Sequence, residues 1–287
     1  RDRTGQTGHA SVTWNMRLAD ILPVMTGRFD SPMDTRALPP LVTTEPDSTA
    51  LPVAVADFAR VAQAPADGFY LQYETSGLTL RHAQAGPNDQ GLCLDLRDGG
   101  VERRAAGGRK SPLAKAIGLR RHPDSSVLDT TCGLGRDAAT LAALGCRVAT
   151  IERHPVLFAL VADARERAAA AEPPPVWLEY WHANHRADAI RYLADADATP
   201  AADVIYIDPM FESTRRKARP QKALAWLGEL VGGDTDVADL LAYARRRAAR
   251  QVVVKQHARS APLAPPDRTV EGKAIRFDIY LAATPGA

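Results

Sequence analysis

Val127-Leu128-Asp129-Thr130-Thr131-Cys132-Gly133-Leu134-Gly135-Arg136-Asp137-Ala138 reads as a short apolar strand, an acid, a glycine-containing turn and the opening of a helix. The two glycines let the backbone turn sharply and approach a ligand with no Cβ in the way. The amides beyond Gly135 open a helix, whose positive end faces the carboxyl edge of the sheet, where open α/β folds bind ligands. On this reading Asp129, Gly133 and Gly135 line a cofactor site. By itself the loop stays ambiguous. Gly133-x-Gly135-x-x-Ala138 also fits a dinucleotide-binding fingerprint, and a tight strand-to-helix turn without any ligand has the same pattern.

Outward from this loop, strands and helices alternate. Strands are expected at 147–152, 177–182, 203–208, 251–255 and 276–281, and helices at 136–144, 155–171, 188–194 and 238–250. Alternation of this kind implies a parallel sheet with helices on both faces. Upstream, Ser111 and Pro112 have the character of an N-cap and first helical residue for a helix to Gly118. Short strands are expected at 69–74, 78–82 and 92–96, with a hairpin at Ser76-Gly77. Residues 51–64 show helical spacing (Leu51, Val55, Phe58, Val61, Ala62), and 103–110 reads as a basic, glycine-containing loop. The expected organisation is an extension over 1–50, partly irregular with a short helix near 14–22, then a small α+β unit over 51–110, and a Rossmann-like α/β domain over 111–287.

Two strand ends downstream have chemistry to offer. Glu152 closes the second strand at a spacing suited to a carboxylate that accepts from both hydroxyls of a ribose; a solvated acid at a strand end is the plain alternative. Asn184, in His182-Ala183-Asn184-His185, has the donor and acceptor needed to read an adenine edge, or serves only as a turn residue.

The most discriminating motif is Asp203-Val204-Ile205-Tyr206-Ile207 running into Asp208-Pro209-Met210-Phe211. A carboxylate, a proline and an aromatic at the end of a buried strand suit an enzyme that methylates an exocyclic amine of a base. That amine is a poor nucleophile because its lone pair is delocalised into the ring. Asp208 and a backbone carbonyl near Pro209 would hold its hydrogens and aim the lone pair at a sulfonium methyl, while Phe211 would stack on the base. Positioning of this kind supplies roughly 7–11 kcal/mol and needs neither metal nor covalent nucleophile. An Asp-Pro turn beside a core Phe is the unremarkable reading of the same residues.

Composition is ordinary for a globular chain, with 24% charged and 45% hydrophobic residues and a net charge of +2, which excludes a polybasic nucleic-acid binder and leaves that role to local patches. Cys93, Cys132 and Cys146 form no Cys-x-x-Cys pair, so a disulfide framework or zinc ribbon is not expected and a reducing compartment fits. His154, His182 and His257 have no metal-ligand spacing, and no metal is expected. No apolar run approaches a membrane span, and Arg1-Asp2-Arg3 lacks a signal-peptide pattern, so the expected location is cytoplasmic.

With these motifs in order, the chain resembles RsmJ, the bacterial 16S rRNA guanine-N2 methyltransferase family. The resemblance is carried by Gly107-Gly108-Arg109, Ala114-Lys115-Ala116-Ile117-Gly118-Leu119, Gly133-Leu134-Gly135-Arg136-Asp137-Ala138, Gly145-Cys146-Arg147-Val148, Glu152-Arg153-His154-Pro155, Asp208-Pro209-Met210-Phe211, Val252-Val253-Val254-Lys255 and Arg276-Phe277-Asp278-Ile279-Tyr280. It implies a class I S-adenosylmethionine-dependent methyltransferase fold. It further implies cofactor contacts at Arg136, Asp137, Glu152, Arg153, Asn184, His185 and Asp208, and methylation of N2 of a guanosine in 16S rRNA or the small ribosomal subunit.

Arg215, Arg216, Lys217, Arg219 and Lys222 follow the acceptor motif and are expected beside the mouth of the site, holding RNA phosphates; Arg103, Arg104, Arg109 and Lys110 would form a second wall. Arg245-Arg246-Arg247 reads as a solvated face. Lys255 ends a strand and either faces the site's rim or is structural. Trp177 and Trp181 read as core. Other functions that share these motifs are amine methylation on DNA or protein, a cofactor-bound RNA-binding or ribosome assembly protein without turnover, and an NAD-dependent oxidoreductase.

Overall fold

The computed structural model describes residues 38–43, 53–86, 88–194, 201–209, 230–232 and 234–283. The short helix expected near 14–22, together with Phe211 and the basic run 215–222, lies outside them.

Two sheets organise the described chain. The smaller contains β1 (Leu41–Val42), β2 (Arg60–Val61), β3 (Phe69–Glu74), β4 (Gly77–His82) and β5 (Leu92–Cys93), in the order β2-β1-β3-β4-β5. β1 runs parallel to β2 and β3, and the β3–β4 hairpin turns at the expected Ser76-Gly77. The helix expected over 51–64 does not form. Val53–Val55 makes one 3-10 turn, and Arg60–Val61 pairs with β1 instead. Burial of Val55 and Phe58 satisfies the spacing that suggests a helix, while strand pairing takes the backbone hydrogen bonds, as Leu41 N–H donates to the Ala59 carbonyl at 2.8 Å.

The expected basic loop at 103–110 is also more regular than its sequence implies. Left-handed Gly99 leads into α1 (Gly100–Ala105), and a 3-10 turn follows at Gly108–Lys110. Leu94, Leu96 and Val101 of this connection pack into the core of the larger sheet. α2 (Pro112–Ile117) is built as read: the Ser111 hydroxyl accepts from Ala114 N–H, and Gly118 closes the helix at φ 85°.

The larger sheet contains β6 (Ser126–Asp129), β7 (Arg147–Glu152), β8 (Trp181–Arg186), β9 (Ala202–Ile207), β10 (Ala248–His257), β11 (Arg268–Glu271) and β12 (Ile275–Leu281). Its order is β11-β12-β10-β9-β6-β7-β8. β10, β9, β6, β7 and β8 are mutually parallel, and β12 is antiparallel to β10 and β11. The sheet is therefore mixed rather than wholly parallel, and its edge strand β11 carries no strand signal in the sequence, because Arg268-Thr269-Val270-Glu271 is largely exposed and polar.

Helices α3 (Arg136–Ala143), α4 (Pro155–Ala169), α5 (Ala189–Ala194) and α6 (Val237–Arg247) cover the sheet. Alternate residues of each strand enter opposite cores. Val127, Val148, Val204 and Val253 pack with α2 and α3, and Leu128, Ile151, Ile205 and Val254 with α5 and α6. α4 is apolar on two sides. Val161, Ala164 and Ala168 join the large core, and Val156, Leu157 and Leu160 meet Leu71, Leu78 and Leu80 of the small sheet. Trp177 and Trp181 are both core residues, as expected.

The third large-sheet strand starts later than its composition implies. Behind Pro173-Pro174-Pro175, residues Val176–Tyr180 form a 3-10 turn, and β8 begins at Trp181. Strand order reverses between β6 and β9, so a crevice opens at their carboxyl ends, where such folds take ligands.

Candidate active site

The glycine loop is pinned from both neighbouring strands. Thr130 donates through N–H and hydroxyl to the Tyr206 carbonyl, and Cys132 N–H donates to the Ile151 carbonyl at 3.1 Å. Gly133 and Gly135 have φ of 56° and 69°, values that glycine alone tolerates well. The indole of Trp181 packs against Gly135.

Glu152 ties this loop to the next one. One carboxylate oxygen accepts Gly133 N–H and the other His154 N–H, each at 2.7 Å. The side chain faces the cleft yet is only 6% exposed, and this burial pushes its pKa up to about 7. Burial likewise drives His154 down to about 4, which keeps it neutral. Asp129 is buried at the crevice floor. Burial, helped by the carboxylates of Asp137, Asp208 and Glu152, raises it well above the usual range even though it accepts Thr131 N–H.

On the other side of the loop, Asp137, Asp208 and Lys255 meet. Lys255 Nζ donates to Asp137 Oδ2 and Asp208 Oδ2, both at 2.7 Å. The Tyr206 hydroxyl donates to Asp137 at 2.7 Å, and Arg104 lies 3.7 Å from the same carboxylate. Burial alone would raise Asp137; Lys255, Tyr206 and Arg104 hold it below its ordinary value. Asp208 is less enclosed, with 35% of its side chain exposed against 15% for Asp137, yet burial, fewer donors and a carboxylate neighbour raise it to about 6. Its backbone N–H donates to the Thr131 hydroxyl at 2.6 Å, which joins the acceptor strand to the glycine loop.

These groups line one cavity of about 360 Å³, within the range of small-molecule sites. Asp129, Gly133, Arg136, Asp137, Glu152, Arg153 and Asp208, all read from the sequence as cofactor contacts, are gathered there. Gly135 sits just behind them as the cap of α3. Asn184 and His185 are not among the lining residues. Because β8 starts at Trp181, they fall inside the strand, where Asn184 accepts from the Thr150 hydroxyl at 2.8 Å. Asp188, just past the strand end, faces the cavity instead and caps α5 by accepting Arg191 N–H. The triple proline before Val176 is the signal that would have shifted the strand.

Arg153 is spoken for. It pairs with Asp234, and with Asp236 at 2.9 Å, on the segment leading into α6. Arg109 and Lys110 are exposed on their 3-10 turn. Arg104, expected in an RNA-facing wall, lines this cavity, and so do Lys255, which the sequence left open, and Asp188 and Asp234, which it did not mark; all come from segments distant in the chain.

Seven carboxylates (Asp129, Asp137, Glu152, Asp188, Asp208, Asp234 and Asp236) face the cavity, against four cations. An acid-lined crevice with a glycine turn and a carboxylate at the second strand end fits a cofactor that carries a nucleoside and a positively charged sulfur. Fold and site together are those of an S-adenosylmethionine-dependent methyltransferase. The family model SAM_MT ("Putative SAM-dependent methyltransferase") matches residues 55–282. The ribosomal RNA small subunit methyltransferase J of Shewanella amazonensis is 38% identical over 222 residues, covering 76% of this chain and 88% of that one. Its counterpart in Halorhodospira halophila is 44% identical over 204 residues, covering 66% and 72%. The crystal structure of a SAM-dependent methyltransferase from Neisseria gonorrhoeae superposes with a TM-score of 0.65 at 26% identity, covering 87% of this chain and 97% of that one. The chain belongs to the ribosomal RNA small subunit methyltransferase J family. Among the described residues, no helix is long and apolar enough to cross a membrane.

Proposed function

We propose that this protein methylates the exocyclic N2 amine of a guanosine in 16S small-subunit rRNA, in the cytoplasm, leaving S-adenosylhomocysteine as the second product. The observation that carries this reading is the Asp208 carboxylate, held at the crevice between the glycine loop and Lys255. The names of the relatives supply the substrate class.

S-adenosylmethionine, when bound, supplies a methyl group on a positively charged sulfur. Glu152 has lone pairs left after accepting two backbone N–H groups and would take the ribose hydroxyls. Asp188 would accept from the adenine amine, the role the sequence suggests for Asn184. Asp208 and the carbonyl of Pro209 would hold the hydrogens of the guanine amine, and Phe211 would stack on the ring. The nitrogen exchanges one proton for one methyl group. A carboxylate whose pKa is about 6 is suited to receive that proton near neutrality. Arg109, Lys110 and the run Arg215, Arg216, Lys217, Arg219 and Lys222 would hold RNA phosphates beside the cleft.

The test is transfer of labelled methyl from S-adenosylmethionine to 16S rRNA and to small subunits, with the modified nucleoside identified by mass spectrometry. Asp208→Ala should abolish transfer while S-adenosylhomocysteine still raises the melting temperature. Undiminished transfer by Asp208→Ala, or a methyl group found elsewhere than guanine N2, would overturn the reading.

A further inference from the structure

Lys255 joins both halves of the proposed chemistry through a single charged group. It reaches from β10 across the end of β9, and its Nζ donates at 2.7 Å to Asp137, at the start of α3, and at 2.7 Å to Asp208, at the acceptor position. We propose that Lys255 is a positioning residue that ties the Asp208 carboxylate to the cofactor loop, so that a single ammonium sets where the acceptor group stands. This rests on the reading of Asp208 as the group that holds the base amine.

Three features argue for it. A lysine needed only for folding would be expected to pair with one carboxylate at the surface, whereas this one is largely buried and shared between two acids, one at the start of α3 and one at the end of β9. Second, the remaining donors are divided unequally: Asp137 also receives the Tyr206 hydroxyl and Arg104, so Lys255 is the cation that Asp208 relies on among the described residues. Third, without Lys255 the Asp208 carboxylate would face Asp137 and Asp129, both acids. Burial already lifts Asp208 to about 6 with the ammonium in place, and loss of the ammonium would lift it further. Burial works against the charge on Lys255, but the two carboxylates outweigh it and raise its pKa, so it stays an ammonium throughout the neutral range.

The experiment compares the full-length wild type, Lys255→Met, Lys255→Arg and Asp208→Ala. Its readouts are the pH profile of methyl transfer to 16S rRNA, S-adenosylhomocysteine affinity by calorimetry, and thermal melting. Lys255→Met should lower kcat at pH 7 by on the order of 30-fold, as for loss of a charged hydrogen bond. Its acid limb should move up by about one pH unit or more. RNA KM and S-adenosylhomocysteine affinity should change little. Lys255→Arg, which keeps the charge, should restore most of the rate and return the limb. An equal fall at every pH with an unmoved limb in Lys255→Met would overturn the proposal. So would a cofactor affinity lowered by tenfold or more, roughly 1.4 kcal/mol, with the limb unmoved. Should Lys255→Met fail to fold, a Lys255→Arg enzyme with the wild-type rate and limb supports the proposal, and one with a displaced limb counts against it. Full transfer by Asp208→Ala would instead sink the underlying functional reading.

Discussion

The ring edge of Trp181 fills the space a side chain at Gly135 would need: a Cβ built there would lie 2.6 Å from Trp181 Cη2. The glycine is thus required twice, by its φ of 69° and by its neighbour. Gly135→Ala should destabilise the protein by about 2–4 kcal/mol in chemical denaturation and remove the thermal shift given by S-adenosylhomocysteine. A variant that melts and binds like the wild type would show that the loop has room to relax.

Burial of Glu152 gives the cofactor-free protein a pH dependence with a definite sign. Its pKa is about 7 in the folded chain, against an ordinary 4.5, so the folded state holds this proton more tightly. The resulting stability is full below about 4.5 and is lost as pH rises through about 7. Asp129 and Asp208 are shifted in the same direction. His154, lowered to about 4, acts oppositely: its contribution is present above its ordinary 6.5 and is lost as pH falls toward 4. Melting temperature should therefore decline between pH 5 and 7, and Glu152→Gln should be less stable at pH 5 but show a flatter decline. An equally steep decline in Glu152→Gln would assign the effect to other groups.

Asp163 and Arg167 of α4 lock the small sheet to the large one. Asp163 accepts Leu78 N–H at 3.1 Å and pairs with Arg167 at 2.8 Å, while Arg167 also donates to the Leu94 carbonyl. Asp163→Ala leaves a mostly buried guanidinium and a buried N–H without this partner. The expected loss is about 3 kcal/mol by urea denaturation. A loss under about 1 kcal/mol would mean the apolar contacts of Leu157 and Leu160 suffice.

If the run after the acceptor motif holds phosphates, replacing Arg215, Arg216 and Lys217 with alanine should weaken RNA binding in a salt-dependent way. The log–log salt slope should become shallower by about 2, at roughly 0.7 per charge for single-stranded RNA. S-adenosylhomocysteine affinity should not change. An unaltered slope would place the RNA path elsewhere.

Much of the fold was legible because it is local. Alternating apolar runs marked β6, β7, β9 and β10, glycine and proline marked the turns, and Ser111-Pro112 marked the start of α2. Local preference is overridden where tertiary contacts outrank it. Residues 51–64 have helical spacing but are claimed by pairing with β1, and β11 is a polar edge strand stabilised by its partner β12. Asn184 and His185 lie inside β8 rather than past its end because a 3-10 turn after three prolines delays the strand.

The glycine turn, the acids at the ends of β6, β7 and β9, and the family they resemble are legible from sequence, since each is a motif of a few consecutive residues. The packing of Trp181 on Gly135, the placing of Asp188 rather than Asn184 at the cleft, and the bridge from Lys255 to Asp137 and Asp208 arise from the folded arrangement. Lys255 lies 118 residues from Asp137 and 47 from Asp208 in the chain. Parallel strands bring their carboxyl ends together regardless of sequence separation, and such meetings leave no periodicity or spacing to read.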